Sequence, residues 1–324
     1  MTKAYYSLSA EQLATLFTQL KSMELAALPA FQAIDILRQS EARLRKPLAA
    51  MQQQLTLGRP ISEAGFKAGI FNEVHKTLIH AAESSGRLAE VYGRLASHYA
   101  GLSGRIKKIK SRLTFPALTL IISLFIQPLP ALVSSEISGF DYIKLSAGRI
   151  LVMGIGLFLL IRLPMILRGL GAESDWHRLQ LKTPVVGKWI IKRQVNEFFA
   201  ILAMMLEGGV PFSEALPKAV ASVGNGCLRE QFSPAIAILG SGASVADTFS
   251  KVPVINATWL HRVNSSERSG KLASGILQFT QMEAQTISLQ DNALAEWLPR
   301  LVYGMIAIWL AYSILRGQFA PLAT

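Results

Sequence analysis

Hydrophobic residues follow two patterns along this chain of 324 residues. Long stretches carry apolar residues at helical spacing, while three shorter stretches are apolar almost throughout. No stretch alternates apolar and polar residues as a half-buried β-strand does. The pattern predicts an all-α integral membrane protein, in which amphipathic helices build soluble bundles and uniformly apolar helices cross the bilayer.

The three apolar stretches are predicted transmembrane helices. Residues 113–133 are uncharged over about 20 residues, which is long enough to cross a hydrocarbon core of roughly 30 Å. Pro116 is expected in the first turn of this helix, where a missing N–H costs little, and Pro128 and Pro130 should kink or end it. The second helix is predicted within residues 145–168, where a buried soluble helix is the alternative, and the third at residues 297–316.

The two amphipathic parts of the chain repeat each other. Glu83-Ser84-Ser85-Gly86-Arg87-Leu88 returns 184 residues later as Glu267-Arg268-Ser269-Gly270-Lys271-Leu272, and Gly58-x-x-Ile61-x-Glu63 returns at the same offset as Gly242-x-x-Val245-x-Asp247. Phe17, Met23 and Pro29 match Phe199, Met205 and Pro211 at an offset of 182, and Pro116 and Pro299 are 183 apart. The chain is therefore a tandem duplication of a soluble helical bundle followed by a membrane helix. The first bundle is predicted at residues 1–112 and the second at residues 169–296.

Local motifs predict where the helices of each bundle begin and end. Ser9 and Gln12 have the spacing of a capping box, and Ser62 is a candidate cap after the break at Gly58. Gly86 is expected to be a left-handed cap that ends one helix before the next begins. The first helix–helix turn of the second copy is Gly208-Gly209-Val210-Pro211, whereas the first copy has Ala26-Ala27-Leu28-Pro29 and must form this turn without glycines.

The last helix of the first bundle carries the most regular pattern of the chain. Its apolar residues step by four and three, as in a heptad seam, and run into the first membrane helix: Leu88, Tyr92, Leu95, Tyr99, Leu102, Ile106, Ile109 and Leu113. This seam either packs on its own bundle or contacts a second subunit. The corresponding helix of the second copy is less regular, because Glu283 and Thr286 interrupt the spacing.

Charge predicts the orientation in the membrane. The net charge is +12, and basic residues crowd the entrance to the first membrane helix: Arg105, Lys107, Lys108, Lys110 and Arg112. More basic residues follow the second helix, whereas the connecting loop at residues 134–144 is nearly balanced. The positive-inside rule then places the N-terminus and both bundles in the cytoplasm, and the loop and residues 317–324 on the other side. The basic cluster has no interleaved aromatic residues, so contact with anionic lipid headgroups explains it better than nucleic acid does.

The sequence contains no motif for catalysis, a metal or a cofactor. There is no phosphate-binding loop and no paired histidine ligand motif, and the single cysteine, Cys227, excludes an intramolecular disulfide. Ser84-Ser85-Gly86 lacks the preceding strand that a nucleophile elbow requires. The repeated acids Glu83 and Glu267 either cap helix ends or bind a cation, and the sequence does not decide between these roles.

The repeated pattern resembles the type II secretion F / PilC family of inner-membrane platform proteins. The resemblance rests on the motifs around Gly58, Glu83, Gly208, Gly242 and Glu267 and on the prolines that open the first and third membrane helices. It covers nearly the whole chain. The first copy lacks the glycine turn, Phe115 stands where the family often has tyrosine, and Leu298 stands where it often has an acid. These departures favour the type IVb pilus branch or a conjugative-type thin pilus over a general secretion system.

The resemblance implies a noncatalytic platform in the bacterial inner membrane, with its C-terminus in the periplasm. It implies that the two bundles take up the motion of a cytoplasmic hexameric ATPase, and that the membrane helices guide pilins or pseudopilins into a fibre. Other inner-membrane assembly proteins and further copies of the chain are also expected partners. A small transporter or channel component is the alternative from another class, although transporter repeats lie within the membrane. A membrane-bound enzyme is a third hypothesis, and no cluster of residues supports it.

Overall fold

The structure is a computed structural model, and it describes residues 8–126, 128–135, 137–169, 173–184, 186–239 and 242–319. Every regular element within these ranges is a helix, so the predicted all-α class is confirmed for the part of the chain that is described. Two compact units divide the chain. Unit 1 consists of Met1–Gly104 and His177–Ile287, and unit 2 of Arg105–Trp176 and Ser288–Thr324.

The helices of the two copies follow one another in the same order. The first copy contains α1 (Ala10–Leu25), α2 (Ala30–Ser40), a 3₁₀ turn (Ala42–Leu44), α3 (Arg45–Thr56), α4 (Ile61–Lys67), α5 (Glu73–Ser85) and α6 (Leu88–Ile126). Between the copies lie α7 (Leu129–Val133) and α8 (Gly139–Gly169). The second copy contains α9 (Glu173–Lys182), α10 (Val186–Glu207), α11 (Phe212–Ala221), α12 (Gly226–Glu230), α13 (Ser233–Ile238), α14 (Val245–Ser250), α15 (Ala257–Arg268) and α16 (Leu272–Phe319).

Both copies are built around a phenylalanine in their first long helix. Phe17 in α1 is fully buried, and its ring packs edge-on against His75 in α5 with the ring centres 5.2 Å apart. Phe199 in α10 is also fully buried, and it stacks on Trp259 in α15 at 4.1 Å. His75 and Trp259 are 184 residues apart, so they are equivalent positions of the duplication. The buried residues of both copies form one continuous hydrophobic core in unit 1.

Helix starts follow the predicted caps in some places and not in others. The capping box of Ser9 and Gln12 at the start of α1 is confirmed. The expectation that Ser62 caps α4 is wrong, because α4 begins at Ile61, Pro60 occupies the cap position, and the Ser62 hydroxyl donates a hydrogen bond to Glu83 instead. Proline cannot cap with a side chain, so the start of α4 depends on a group from elsewhere in the chain.

The first helix–helix turn differs between the copies in the way that the residues dictate. Gly209 has φ 85° in the turn between α10 and α11, a left-handed conformation that glycine adopts without steric cost. Ala27 takes the corresponding place between α1 and α2 with φ 55°. A non-glycine residue in this region is strained by about 1 kcal/mol, so the first copy keeps the turn despite its alanine.

The seam of α6 packs on its own bundle over its first turns. Tyr92 and Leu95 are buried in the core, and Leu88 and Tyr99 are partly buried against it. Ile106 is 49% exposed, so the pattern continues beyond the residues that pack there. In α1 the helical spacing also suggested that Leu25 faces the core, and this was wrong. Leu25 is the last residue of α1 and is 69% exposed.

In unit 2, α6 passes the length and composition test for a membrane helix, and it is the one helix of the described residues that does so. It ends at Ile126, just before the predicted break at Pro128. The expected position of Pro116 in a first turn is wrong, since Pro116 lies inside α6 and Pro299 lies inside α16. The second and third predicted membrane helices fall within α8 and α16, and as membrane spans they stay predictions.

Candidate functional site

A glutamate at the end of α5 holds the start of α4 in the first copy. The Ile61 backbone N–H donates to Glu83 Oε1 at 2.5 Å, and the Ser62 N–H and hydroxyl donate to Glu83 Oε2 at 3.4 and 2.5 Å. Ser62 itself is buried. The first N–H groups of a helix have no partner within the helix, and a carboxylate there also meets the positive end of the helix dipole. Glu83 therefore caps α4 from 22 residues away.

The second copy repeats this arrangement at the equivalent positions. The Val245 N–H donates to Glu267 Oε1 at 2.7 Å, and the Ala246 N–H donates to Glu267 Oε2 at 2.9 Å. The second copy has an additional cap that the first copy lacks, because the Ser244 hydroxyl oxygen accepts from the Asp247 N–H at 3.0 Å. We refer to Glu83 with α4, and Glu267 with α14, as the two glutamate clamps.

The clamps explain why two motifs far apart in the sequence repeat together. The Gly58 and Gly242 motifs supply the helix start, and the Glu83 and Glu267 motifs supply the carboxylate that caps it. In each clamp both oxygens of the carboxylate accept hydrogen bonds from the protein, which favours the capping role over cation binding. Among the described residues there is also no group of three or more His, Cys, Asp or Glu side chains placed to hold a metal ion.

The residues after each glutamate reverse the chain. Gly86 ends α5 with φ 67° and ψ 22°, the left-handed conformation that the sequence predicted, and Gly270 has the same φ of 67° after α15. Gly58 and Gly242 are left-handed as well, with φ 74° and 78°. The next helices begin at Leu88 and Leu272, whose side chains are partly buried against the core.

The two serines beside Gly86 are bonded to their own helix. The Ser84 hydroxyl donates to the His80 carbonyl at 3.1 Å, and the Ser85 hydroxyl donates to the Ala81 carbonyl at 2.8 Å. A nucleophilic serine needs a base within hydrogen-bond reach of its hydroxyl. The hydrogen on each serine points to a backbone carbonyl instead, so this turn is structural.

The two copies pack against each other within unit 1, a feature that the sequence reasoning missed. Lys218 of α11 donates to the Thr77 hydroxyl of α5 at 2.7 Å and pairs with Glu214 at 2.6 Å. Arg94 of α6 forms an ion pair with Glu207 at the end of α10 and also contacts Glu90. Because the Arg94 and Glu207 side chains are only 26% and 16% exposed, solvent screens this pair less than it would screen a surface pair.

A groove runs along this contact between the copies. Its volume is about 470 Å³, and its walls come from α4 and α5 on one side and from the α10–α11 turn on the other. Charged groups of both signs line it: Glu63, Glu73, Lys76, Glu214 and Lys218. Several of these charges are already neutralised locally, since Glu63 pairs with Arg59 and Lys67 at 2.9 and 2.8 Å.

His75 is the one described histidine whose pKa is resolved as strongly shifted. The Asn72 N–H donates to His75 Nδ1 at 3.4 Å, and Nε2 lies 2.6 Å from the Tyr99 hydroxyl. Burial, followed by the nearby charge of His98, lowers the pKa of His75 to about 3. The imidazole is therefore neutral at physiological pH and serves as a packed aromatic group in the core.

The basic cluster before the first predicted membrane helix divides into two groups. Lys107, Lys108 and Lys110 are exposed, whereas Arg105 and Arg112 are half-buried. In unit 2 the Arg112 guanidinium donates to the Asn292 carbonyl at 2.9 Å and lies 3.3 Å from Glu296. Arg112 and Glu296 are 184 residues apart, so this contact joins equivalent positions of the duplication.

Fold and site together define a class of protein: a duplicated all-α protein with capped helical bundles and a continuous helix from the first bundle into an apolar segment. Comparison with known sequences gives the family. The sequence profile of the type II secretion system protein F family matches residues 16–133 and again residues 198–315. The two matches begin 182 residues apart and together cover most of the chain. The chain belongs to this family, and the resemblance drawn from its motifs is confirmed.

Individual relatives come from two kinds of system. The chain is 27% identical to the type II secretion system protein F of Pseudomonas aeruginosa, over 91% of this chain and 76% of that protein. It is 28% identical to the type IV pilus assembly protein PilC of Thermus thermophilus, over 96% of this chain and 82% of that protein. A protein transport protein HofC homolog of Haemophilus influenzae is 22% identical over 96% of this chain and 84% of its own length.

Proposed function

We propose that the chain is a noncatalytic inner-membrane platform for type IV pilus biogenesis or type II protein secretion. It would couple a cytoplasmic hexameric ATPase to the insertion of pilins or pseudopilins into a fibre. The observation that carries this proposal is the family match over both copies of the duplication, together with relatives that are named for type II secretion and for type IV pilus assembly.

The packing of unit 1 supports this role. A platform that receives motion from an ATPase needs cytoplasmic parts that move as a unit. The two copies share one hydrophobic core and are joined by the Arg94–Glu207 and Lys218–Thr77 contacts. The glutamate clamps fix the order of helices within each copy, since each ties the start of one helix to the end of the next.

The arrangement in the membrane is part of the proposal. The N-terminus, residues 1–112 and residues 169–296 would lie in the cytoplasm. Membrane helices at residues 113–133, within residues 145–168 and at residues 297–316 would place residues 134–144 and 317–324 in the periplasm. The exposed lysines of the basic cluster would contact anionic headgroups, where each basic residue contributes about 1 kcal/mol.

Deletion of the gene tests the proposal. We expect a strain without this chain, in which the partner ATPase is still produced, to lose its surface fibres or its secreted substrate, and a plasmid copy to restore them. Fibres are counted by electron microscopy, and secreted protein is measured in the medium. A plasmid copy with Ser85→Ala should restore assembly fully, because Ser85 is assigned no chemical role. Undiminished assembly in the deletion strain would refute the platform function.

A further inference from the structure

One face of the first copy is exposed where the matching face of the second copy is buried. We call it the α1–α2 face, and its members are Leu25, Ala27, Pro29, Gln32 and Ile36. At the offset of 182 these correspond to Glu207, Gly209, Pro211, Glu214 and Lys218, which form the α10–α11 face. The two faces occupy equivalent places in a duplicated fold, so their different surroundings call for an explanation.

The α10–α11 face docks on the first copy. Glu207 pairs with Arg94, and Lys218 donates to the Thr77 hydroxyl. A Cβ placed on Gly209 would come within 3.6 Å of the Arg87 guanidinium, so the turn approaches the first copy closely. This face is therefore a contact surface of the repeat, and its partner is another copy of the same bundle.

The α1–α2 face is uncovered and apolar. Leu25 is 69% exposed and Ile36 is 45% exposed, and Phe31 beside them is 44% exposed. Helical spacing places Pro29, Gln32 and Ile36 on one side of α2. Exposed apolar residues that stand singly need no explanation, but several on one face indicate an interaction site.

The differences between the faces are systematic. Each of the three charged residues of the α10–α11 face is replaced by an uncharged residue on the α1–α2 face. Glu207 corresponds to Leu25, Glu214 to Gln32, and Lys218 to Ile36. A contact with a twofold axis brings a face against itself, so any charge on it would meet a like charge. A face without charged residues is what such a contact requires.

A head-to-tail contact with the second copy of another chain does not fit these residues. The surface on the first copy that receives the α10–α11 face includes Thr77, Leu78 and Ala81, and the equivalent positions in α15 are His261, Arg262 and Ser265. These α15 residues are exposed and polar. They offer no apolar surface to Leu25 and Ile36.

We propose that the α1–α2 face binds the same face of a second copy of this chain, which makes the first bundle a twofold dimerisation site. The contact uses a surface that already joins the two copies within one chain, now with apolar residues in place of ion pairs. This names one partner of the platform proposed above, and it is tested without any fibre, so its failure and that of the platform function are separate results.

The mass of the full chain in detergent, measured by light scattering after size exclusion, tests this contact. The wild-type protein should have the mass of at least two chains, and Leu25→Glu combined with Ile36→Glu should halve it. Leu179→Glu changes another leucine of unit 1, which is 59% exposed, and should leave the mass unchanged. Unchanged circular dichroism of the variants would show that they fold. A double variant that keeps its mass would overturn the proposal.

Charge pairing then identifies the partner. Two differently tagged chains, one with Ile36→Lys and one with Ile36→Glu, should co-purify when they are produced together, whereas each alone should be monomeric. Ile36 lies on the face shared by both chains, so opposite charges meet there only if the partner is a second copy. Failure of the mixed pair to associate would assign the face to a different partner and would contradict the dimer.

Discussion

Replacement of Glu83 by alanine is expected to lower the free energy of unfolding by about 3 kcal/mol, because each hydrogen bond to a charged group contributes roughly 1.5–3 kcal/mol and such losses are not fully additive. Three donors of α4 lose their acceptor in this variant. The Ser62 hydroxyl is buried and would be left without a partner. No other cap can take over, since Pro60 stands at the cap position.

Two variants serve as comparisons in denaturant unfolding of the full chain, followed by far-ultraviolet circular dichroism. Glu73→Ala removes an exposed acid from the other end of α5 and should cost less than about 1 kcal/mol. Glu267→Ala should cost less than Glu83→Ala, because α14 keeps its Ser244 cap. A loss for Glu83→Ala no larger than that for Glu73→Ala would show that the clamp does not stabilise the fold.

Acidification is expected to destabilise the first copy through His75. The pKa of His75 is about 3 in the folded protein, compared with an ordinary value of 6.5. Below pH 6.5 the unfolded chain binds a proton there and the folded chain does not, so stability is complete above pH 6.5 and falls as pH drops towards 3. The slope is about 1.4 kcal/mol per pH unit, or about 2 kcal/mol between pH 6.5 and pH 5.

The test compares pH profiles of the unfolding midpoint for three proteins. In His75→Gln the Gln carbonyl can still accept from the Tyr99 hydroxyl, and this part of the slope should disappear. His80→Gln removes an exposed histidine from the same helix, and its profile should follow the wild type. If the wild type and His75→Gln lost stability equally between pH 6.5 and pH 5, the buried neutral imidazole would not be the source of acid sensitivity.

Local features of the fold could be predicted from the sequence because they depend on neighbouring residues. The capping box at Ser9, the left-handed Gly86 and the glycine turn at Gly208–Pro211 all follow from backbone preferences. The break after Ile126 follows from Pro128 in the same way. The duplication could be recognised because its motifs keep one spacing.

Long-range contacts could not be predicted in the same way. Glu83 could be recognised as a repeated acid, but its partner lies 22 residues earlier in the chain and is reached only when α4 and α5 pack together. The union of the two copies in one core was missed for the same reason. One signal was present in the sequence. The charged residues Glu207 and Lys218 have apolar equivalents in Leu25 and Ile36, and such a difference between copies indicates different surroundings.

The two copies therefore differ in ways that match separate roles. The first copy receives the second on α5 and α6, has a histidine where the second has Trp259, and presents the apolar α1–α2 face. The second copy has an extra cap at Ser244 and a polar α15. These differences support the proposal that the platform uses its two bundles for different contacts.

The central claim is that the two copies work as one body within the assembly platform, and charge reversal at their joint tests it most directly. In the deletion strain, Arg94→Glu and Glu207→Arg should each reduce fibre number or secreted protein several-fold, because each places like charges together at a partly buried site. The two changes combined restore an opposite pair and should recover much of the loss. Full assembly with either single variant, at normal chain abundance, would contradict the account.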